Sequence, residues 1–408
     1  MTATPASLTW LDLTASDRDS VRRVLDLFEE QGTIDELGLG AVRDFFSDTL
    51  FPGTSTLHTR LRYVLFIPWL YRRLEARYRQ VQDIAAEARA EEIRLIEALL
   101  SGGEAEGVIG AVARERLSRL PSQAYWSALV RWGLFGPRQS QGWYHRHFNR
   151  LAAGLRSARP DDAGELEAPE RTWHPQLPGP PEDLLETVTF ALTAEEAGFL
   201  RDRMESAVPG SLLAHLVREG STALGDARWL WEVPEAGQAP ASLRELVAMA
   251  RRFSLHMEGA PLLYNLYLAE LRRERHGDPQ GVDAGHIERY REALARWADA
   301  EEREAPFDPE ALWQLGARHG AAFKEPLKRF VAAWSEGLNR HGAAAVADSR
   351  PLRDLVAQRE RALKGARARV VNANRLDQWR GDAGVGRLDF RWPNVRRLLV
   401  DLHEGLAA

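Results

Sequence analysis

Residues Glu36–Tyr71 read ELGLGAVRDFFSDTLFPGTSTLHTRLRYVLFIPWLY and join two apolar, helix-like segments through a short turn at 51–55. Gly53 allows the chain to reverse direction there, because glycine adopts backbone angles that other residues avoid. Thr54 or Ser55 is predicted to cap the second helix, since their hydroxyl groups accept hydrogen bonds from the first free backbone N–H groups. The stretch therefore predicts a helical N-terminal domain built around this joint.

Four charged side chains interrupt this apolar stretch. Asp44 and Asp48 are one helical turn apart and share a helix face, and Arg60 and Arg62 follow the joint. We predict a structural network in which the two arginines bind Asp44, Asp48 or another buried acid. Neighbouring carboxylates can also hold a divalent metal, so Asp44 and Asp48 are in addition the first candidates for a nuclease site.

Composition excludes several classes of protein. The 408 residues carry a net charge of -5, which argues against a surface that is basic throughout. No cysteine is present, so disulfides, thiol nucleophiles and sulfur-ligated metal sites are excluded. The longest apolar run, Val64–Tyr71, is far shorter than the roughly 20 residues of a membrane helix. Because the N-terminus also lacks a signal-peptide pattern, we predict a cytoplasmic protein without a membrane partner.

Helical spacing of apolar residues runs through most of the chain. Arg72–Leu100 contains neither Gly nor Pro and predicts one long helix. Thr193 and Glu196 form the pattern of a capping box before an apolar helix. Residues 187–192 are the best candidate for a strand, and their alternation is weak. The sequence therefore predicts an all-α fold.

A change of composition divides the chain. Ser157–Asp183 contains six prolines among several acidic residues, a composition that buries little apolar surface and is typical of a linker. We therefore predict two helical domains joined by a Pro-rich acidic linker. Their predicted bounds are residues 1–156 for the N-terminal domain, 157–183 for the linker and 184–408 for the C-terminal domain with its basic end.

Residues 108–148 read as two short helices with a tight joint, followed by a polar loop. This order resembles a helix-turn-helix or winged module, and it also fits an ordinary helical hairpin with a surface loop. Arginine, histidine and small polar residues in the loop and after it suit a phosphate contact. The candidate phosphate-binding residues here are Arg138, His145, Arg146 and His147. The H-x-H pair is not predicted to bind metal, because a helix points the two rings apart.

The charge balance reverses near the C-terminus, where arginines outnumber acidic residues from Pro351 onward. Basic side chains gain affinity for a polyanion through counterion release, so this region is a candidate nucleic-acid interface. A solvated helix face, or a surface that docks on a partner or on the acidic half of the chain, fits the same pattern. The candidate residues are Arg359, Arg361, Lys364, Arg367, Arg369 and Arg375.

Common catalytic motifs are absent from the sequence. It contains no G-x-x-x-x-G-K-[ST], H-E-x-x-H or G-x-S-x-G pattern. The glycine-rich segment Gly381–Gly386 follows no predicted strand and leaves no room for a nucleotide-binding βαβ unit, so it reads as a turn. We therefore predict no catalytic residue, no metal site and no cofactor.

The run from Asp35 to Tyr71, preceded by Leu8–Asp12, resembles the N-terminal signature of a family of functionally uncharacterised bacterial proteins of about 400 residues. Looser matches continue through Tyr125–Leu129, Gly259–Asn265 and Arg391-Trp392, so the resemblance covers nearly the whole chain. Members lie near helicases and other genes of phage-defence islands. The resemblance thus implies a role in anti-phage defence or DNA transactions, with a helicase or another defence subunit as partner, and it implies no catalytic residues.

These observations favour a non-enzymatic DNA-binding or assembly subunit of a bacterial anti-phage defence system. One alternative is a metal-dependent nuclease or phosphodiesterase that uses scattered carboxylates. Another is a protein–protein scaffold that makes no contact with nucleic acid.

Overall fold

The computed structural model describes residues 35–77, 80–157, 171–278 and 280–408. Within these ranges the chain forms helices, turns and one isolated bridge between Phe135 and Trp173, with no β-strand. The predicted all-α class is confirmed. No helix in the same ranges combines the length and the apolar character needed to cross a bilayer.

The α-helices in these ranges are α1 (Gly40–Leu50), α2 (Tyr63–Arg77), α3 (Ile84–Ser101), α4 (Pro121–Arg131), α5 (Gln141–Ser157), α6 (Ala194–Ala207), α7 (Leu212–Glu219), α8 (Pro234–Gln238), α9 (Ala241–His276), α10 (Val282–Glu301), α11 (Pro309–Arg318), α12 (Glu325–His341), α13 (Arg350–Lys364), α14 (Ala373–Asp377) and α15 (Trp392–Ala407). Short 3-10 helices lie at Arg114–Arg116, Thr222–Asp226, Leu230–Glu232, Val346–Asp348 and Gly365–Arg367.

Helix α2 is buried among neighbouring helices. Every residue from Tyr63 to Tyr71 is buried, as expected for a helix that is apolar on all sides. It packs against α3, α4 and α5. Pro68 lies inside the helix, where it removes one backbone hydrogen bond. Trp69 extends the packing by donating from Nε1 to the Pro178 carbonyl at 2.7 Å.

The start of α2 differs from the prediction. The helix begins at Tyr63, eight or more residues beyond the expected caps Thr54 and Ser55. Thr54 Oγ1 instead donates to the Phe51 carbonyl at 2.6 Å, and Ser55 Oγ accepts from the Leu57 N–H at 3.2 Å. Both hydroxyl groups thus stabilise the turn between α1 and α2, so their local hydrogen bonds compete with helix initiation.

The expected long helix over residues 72–100 is two helices. Helix α2 ends at Arg77, and α3 begins at Ile84. Asp83 caps α3, because its side chain accepts a hydrogen bond from the Ala86 N–H at 3.0 Å. Helix propensity alone predicted continuity, whereas this N-cap stops the helical conformation one residue before α3.

Two compact units make up the described part of the chain, and each contains segments distant in sequence. The first unit takes in the described residues before Gly40, together with Gly259–Arg296 and Ala344–Gly386. The second takes in Gly40–Glu258, Trp297–Ala343 and Arg387–Ala408. Helices α9 and α10 each contribute residues to both units.

This division differs from the predicted one at residues 157–183, because the second unit includes residues on both sides of that segment. Residues 158–170 of the predicted linker lie outside the described residues. The remainder, 171–183, packs in the second unit: Trp173 is buried and donates from Nε1 to a Glu75 carboxylate oxygen at 3.2 Å. An isolated bridge joins Trp173 to Phe135. Proline content alone did not reveal this aromatic anchor.

The predicted capping box at the start of α6 is confirmed. Thr193 Oγ1 accepts from the Glu196 N–H at 3.2 Å, and the Glu196 carboxylate accepts from the Thr193 N–H at 3.1 Å. Helix α6 then packs against α7 and α15. The C-terminal helix thereby becomes part of the second unit's core.

Candidate anion-binding site

An open pocket of about 830 Å³ lies in the second unit, where α4, the loop between α4 and α5, and α6 meet. Three arginines line it: Arg131 at the end of α4, Arg138 in the loop and Arg203 in α6. We call it the arginine pocket. Asp48, Trp126 and Ser140 also line it.

The end of α4 helps to position Arg203. Gly133 follows the helix with φ of 73°, a left-handed conformation that favours glycine. A Cβ atom at Gly133 would lie 2.9 Å from Arg203 Nη2, so the glycine also leaves room for that side chain. Arg203 Nε donates to the Trp132 carbonyl at 3.3 Å. Trp132 in turn is anchored by a hydrogen bond of 2.9 Å from Nε1 to the Pro52 carbonyl.

Two hydrogen bonds hold the C-terminal end of the loop that carries Arg138. Trp126 Nε1 donates to the Gln139 carbonyl at 2.8 Å, and Ser140 Oγ accepts from the Trp143 N–H at 3.1 Å at the start of α5. Arg138 lies directly before Gln139 and Ser140 and has a φ of 52°, in the left-handed region that non-glycine residues seldom occupy. This strained backbone is fixed by the surrounding hydrogen bonds, which is a common feature of binding loops.

The electrostatics of the pocket are strongly positive. Arg131 and Arg138 are exposed, and their guanidinium groups make no ion pair or hydrogen bond with any other residue that the structure describes. Asp48, the acidic residue among the lining side chains, is paired with Arg391, whose Nη1 lies 2.5 Å from Asp48 Oδ1. The pocket therefore presents positive charge and unused hydrogen-bond donors, which together suit an anion.

Asp44 and Asp48 have partners other than the predicted ones. Asp44 lies 3.0 Å from Arg43 Nε and 3.8 Å from Arg391 Nη2. Arg391 also donates to the Thr54 carbonyl at 3.1 Å, so one arginine joins both acids to the turn after α1. The structure does not bring Arg60 or Arg62 to this pair. In the described ranges, no three histidine, aspartate or glutamate side chains are grouped so that they could hold a metal ion.

Arg60 and Arg62 bind buried acids that the sequence did not single out. Arg60 Nε lies 3.0 Å from both carboxylate oxygens of Asp401 in α15. Arg62 Nη2 lies 2.7 Å from the Glu196 carboxylate, the same group that completes the capping box of α6. Burial raises the pKa of Asp401, although the hydrogen bond from Arg60 opposes that shift. Both arginines therefore contact buried carboxylates of distant helices, α15 and α6.

The histidines and arginine of α5 do not share a site. His145 Nε2 lies 2.6 Å from the Tyr71 hydroxyl, and burial lowers the pKa of His145. His147 Nδ1 lies 2.8 Å from the Trp143 carbonyl, and the two rings stack. Arg146 is exposed on the helix that follows the arginine-pocket loop.

The first helix of the expected helix-turn-helix-like module does not form. Residues 108–117 consist of turns and the short 3-10 helix Arg114–Arg116. Gly107 and Gly110 adopt φ values of 85° and 91°, which are incompatible with a helix at those positions. What remains of the prediction is the pair α4 and α5 with the polar loop between them.

Three of the C-terminal candidate residues bind other residues of the first unit. Arg359 is 8% exposed and donates from Nε to the Leu37 carbonyl at 2.8 Å. Lys364 pairs with the buried carboxylates of Glu36 and Glu360. These side chains satisfy buried acceptors, so they act in packing rather than as free surface charge.

Arg369 belongs to the same cluster, because its Nη1 lies 2.6 Å from Glu36 Oε2. Arg361, Arg367 and Arg375 are exposed, and Arg375 donates to Gln378 at 3.1 Å. The predicted basic region thus separates into a structural cluster and three surface arginines, a distinction that the charge pattern did not contain.

A Ser–His–Glu arrangement, which no sequence motif indicated, lies in the core of the second unit. His256 Nδ1 lies 2.6 Å from Glu301 and Nε2 lies 2.7 Å from Ser335 Oγ. Burial lowers the pKa of His256, and its ring stacks on Phe307. Ser335 is 4% exposed and its hydroxyl donates to the Val331 carbonyl at 2.9 Å, so the hydroxyl is both enclosed and engaged. We interpret this trio as a buried polar contact between helices.

The fold and the pocket define an all-α protein with an arginine-lined pocket. The chain belongs to the family of unknown function DUF6361, whose model matches residues 6–405. This match confirms the predicted membership of an uncharacterised family that spans nearly the whole chain. The chain matches no curated protein and no solved structure.

Proposed function

We propose that this protein is a non-enzymatic nucleic-acid-binding or assembly subunit of a bacterial anti-phage defence system, and that the arginine pocket contacts nucleic-acid phosphate. The supporting observation is the convergence of Arg131, Arg138 and Arg203 on one pocket, where the first two have no described partner. The defence role is supported by the resemblance of the Asp35–Tyr71 signature to proteins of phage-defence islands.

The charge distribution of the pocket supports a phosphate contact. Like charges repel, so grouped guanidinium groups without acid partners lower the stability of the folded protein unless an anion binds them. The chain as a whole carries a net charge of -5, so the attraction is local. Contacts to phosphate oxygens position a protein on nucleic acid without reading its sequence, which suits a general binding or assembly subunit.

Additional surface arginines extend the candidate interface within each unit. Arg146 is exposed on α5, directly after the loop that carries Arg138. In the first unit, Arg361, Arg367 and Arg375 are exposed. These side chains would add weaker, sequence-independent contacts, since exposed charges are screened by salt.

Binding of labelled duplex and single-stranded DNA across a salt series tests the proposal. We expect affinity at low salt that falls as salt rises, because phosphate contacts release counterions. A variant with Arg131, Arg138 and Arg203 all replaced by Ala should bind more weakly, with the slope of log affinity against log salt reduced by about 2 to 3. Arg116→Ala removes an exposed arginine that does not line the pocket and is the matched control.

Two results would count against the proposal. One is the absence of DNA binding at low salt, and the other is binding that the triple variant leaves unchanged. The defence role has its own test: phage plaque counts on the native host, with and without the gene, should differ. Capture of this protein with its operon intact should then recover a helicase or another defence subunit.

A further inference from the structure

We propose that the arginine pocket is a site for a phosphate monoester, either the 5′-terminal phosphate of a nucleic-acid strand or a free nucleotide, in preference to the phosphodiesters within a strand. This inference deepens the proposed function and rests on it for the strand-end case. The proposed function does not specify the type of phosphate group that the pocket binds.

The size of the site suits a strand end or a single nucleotide. Its volume of about 830 Å³ lies within the range of roughly 300–1,000 Å³ that is typical of small-molecule sites. A continuous duplex lays its backbone along a groove or a convex surface, whereas a pocket of this size admits one nucleotide or a strand end. The arginine side chains come from α4, from the loop that follows α4 and from α6, so three separate elements contribute to the pocket.

The number of charges on the ligand also favours a phosphate monoester. A phosphate monoester carries a charge of about −1.5 to −2 at neutral pH and offers three terminal oxygens, whereas a diester carries one charge and two such oxygens. Each guanidinium group presents a planar fork that can bind two phosphate oxygens. Arg131, Arg138 and Arg203 can therefore all engage one monoester, while a diester would leave part of their hydrogen-bonding capacity unused.

Parts of the pocket are held in place without a ligand. Arg203 is held by the Trp132 carbonyl, and Arg138 stands on a backbone fixed in the left-handed conformation. Trp126 lines the same space and holds the loop through its indole nitrogen, so it supplies apolar surface beside the arginines. A small number of placed polar groups beside an aromatic wall is the usual composition of a nucleotide-sized site.

Asp48 is prevented from repelling the anion. Its carboxylate lies on the lining of the pocket, and the ion pair with Arg391 at 2.5 Å offsets its charge. Arg391 itself has a φ of 67° at the residue before α15, so it reaches Asp48 from an unusual backbone conformation. The pocket keeps its positive field because of this pair.

The test compares two 3′-labelled single strands of DNA that differ only in a 5′-phosphate or a 5′-hydroxyl group. We expect about tenfold tighter binding of the phosphorylated strand, since each charge-assisted contact that only the monoester makes is worth about that factor. Arg203→Ala and Arg138→Ala should bring the ratio of the two affinities close to one. Arg203→Lys keeps a positive charge without the planar fork and should also lower the ratio, while Arg116→Ala should preserve it.

Competition with a nucleoside 5′-monophosphate and with inorganic phosphate distinguishes the two sources. Competition by the nucleotide at the same concentration as the phosphorylated strand identifies a nucleotide site, and much weaker competition identifies a strand end. Equal affinity for the two strands overturns the inference, and salt-dependent binding lost in the triple variant would still support the proposed function. Conversely, nucleotide binding that Arg203→Ala abolishes, without DNA binding, supports the monoester site and contradicts the proposed function.

Discussion

Arg60 and Asp401 form a buried ion pair between the segment before α2 and the C-terminal helix α15. Arg60 Nε lies 3.0 Å from each carboxylate oxygen, and the Leu61 N–H donates to the same carboxylate at 2.8 Å. The Asp401 side chain is 1% exposed. One carboxylate therefore accepts hydrogen bonds from two donors and holds the C-terminal helix to the N-terminal part of the second unit.

Replacement of Asp401 by Ala should lower the free energy of unfolding by about 3–5 kcal/mol, because it leaves Arg60 and the Leu61 N–H without their acceptor in a buried site. Urea denaturation of the purified protein measures this change. Asp202→Ala is the matched control, since it removes an exposed carboxylate that pairs with Arg201 and should cost less than about 1 kcal/mol. Equal losses of unfolding free energy in the two variants would show that the buried ion pair stabilises the protein no more than the exposed one.

Loss of Arg391 should weaken anion binding at a pocket that Arg391 does not line. Arg391→Ala leaves the Asp48 carboxylate unpaired beside Arg131, Arg138 and Arg203, and we expect about a tenfold loss of affinity for DNA at low salt. Asp48→Asn in the same protein removes the repulsion and should restore most of the loss. The measurement is fluorescence anisotropy; a double variant as weak as Arg391→Ala would contradict the electrostatic explanation.

Lys364 and Arg367 should behave differently although they are three residues apart. Lys364→Ala leaves the buried carboxylates of Glu36 and Glu360 with one partner fewer, so we expect a loss of about 3 kcal/mol in unfolding free energy. Arg367 is exposed, and its replacement by Ala should change stability by less than about 0.5 kcal/mol. Thermal and urea unfolding of both variants would reveal the difference, and similar stabilities would contradict the structural role of Lys364.

Glu92 should make the protein less stable as pH rises. Burial raises the pKa of Glu92 from 4.5 to about 7, although its hydrogen bonds with Ser122 oppose the shift. Below pH of about 4.5 both states hold the proton, and between about 4.5 and 7 the folded state alone keeps it. Stability therefore falls across this window, by an amount on the order of 3 kcal/mol, and no further above it.

The Glu92→Gln variant isolates that contribution. Its amide oxygen can accept from the Ser122 N–H and its NH₂ group can donate to Ser122 Oγ, so both contacts of the carboxylate are replaced. Unfolding free energies measured from pH 4 to 8 should decline less for the variant than for the natural protein. Parallel pH profiles would show that Glu92 ionises normally in the folded state.

Local signals in the sequence predicted the features that depend on neighbouring residues. The helical class follows from apolar spacing, and the capping box of Thr193 and Glu196 appears where the residue pattern placed it. The turn at Gly53 is likewise present, with φ of 89°. The predicted boundaries of α2 and α3 were less accurate than their helical class. Capping by Asp83 and the turn hydrogen bond of Thr54 have energies similar to helix propensity, so they compete with it.

The sequence predicted only part of the candidate site. Arg138 was singled out from its polar loop, whereas Arg131 and Arg203 were not, because they join it only after α4 and α6 pack in the second unit. The same holds for the C-terminal arginines, whose identical charge hides the fact that Arg369 binds Glu36 while Arg361 is exposed. Burial separates structural cations from available ones, and burial is a property of the tertiary structure.

By itself the sequence determined an all-α protein, the turn and apolar helix of residues 36–71, and an excess of arginine near the C-terminus. Tertiary structure alone decided that Arg60 binds Asp401 and that three arginines from separate elements line one pocket. The physical reason is the distance along the chain over which each interaction acts. Helix formation and capping act over a few residues, whereas ion pairing depends on distance in space, which the chain sets only when its helices pack.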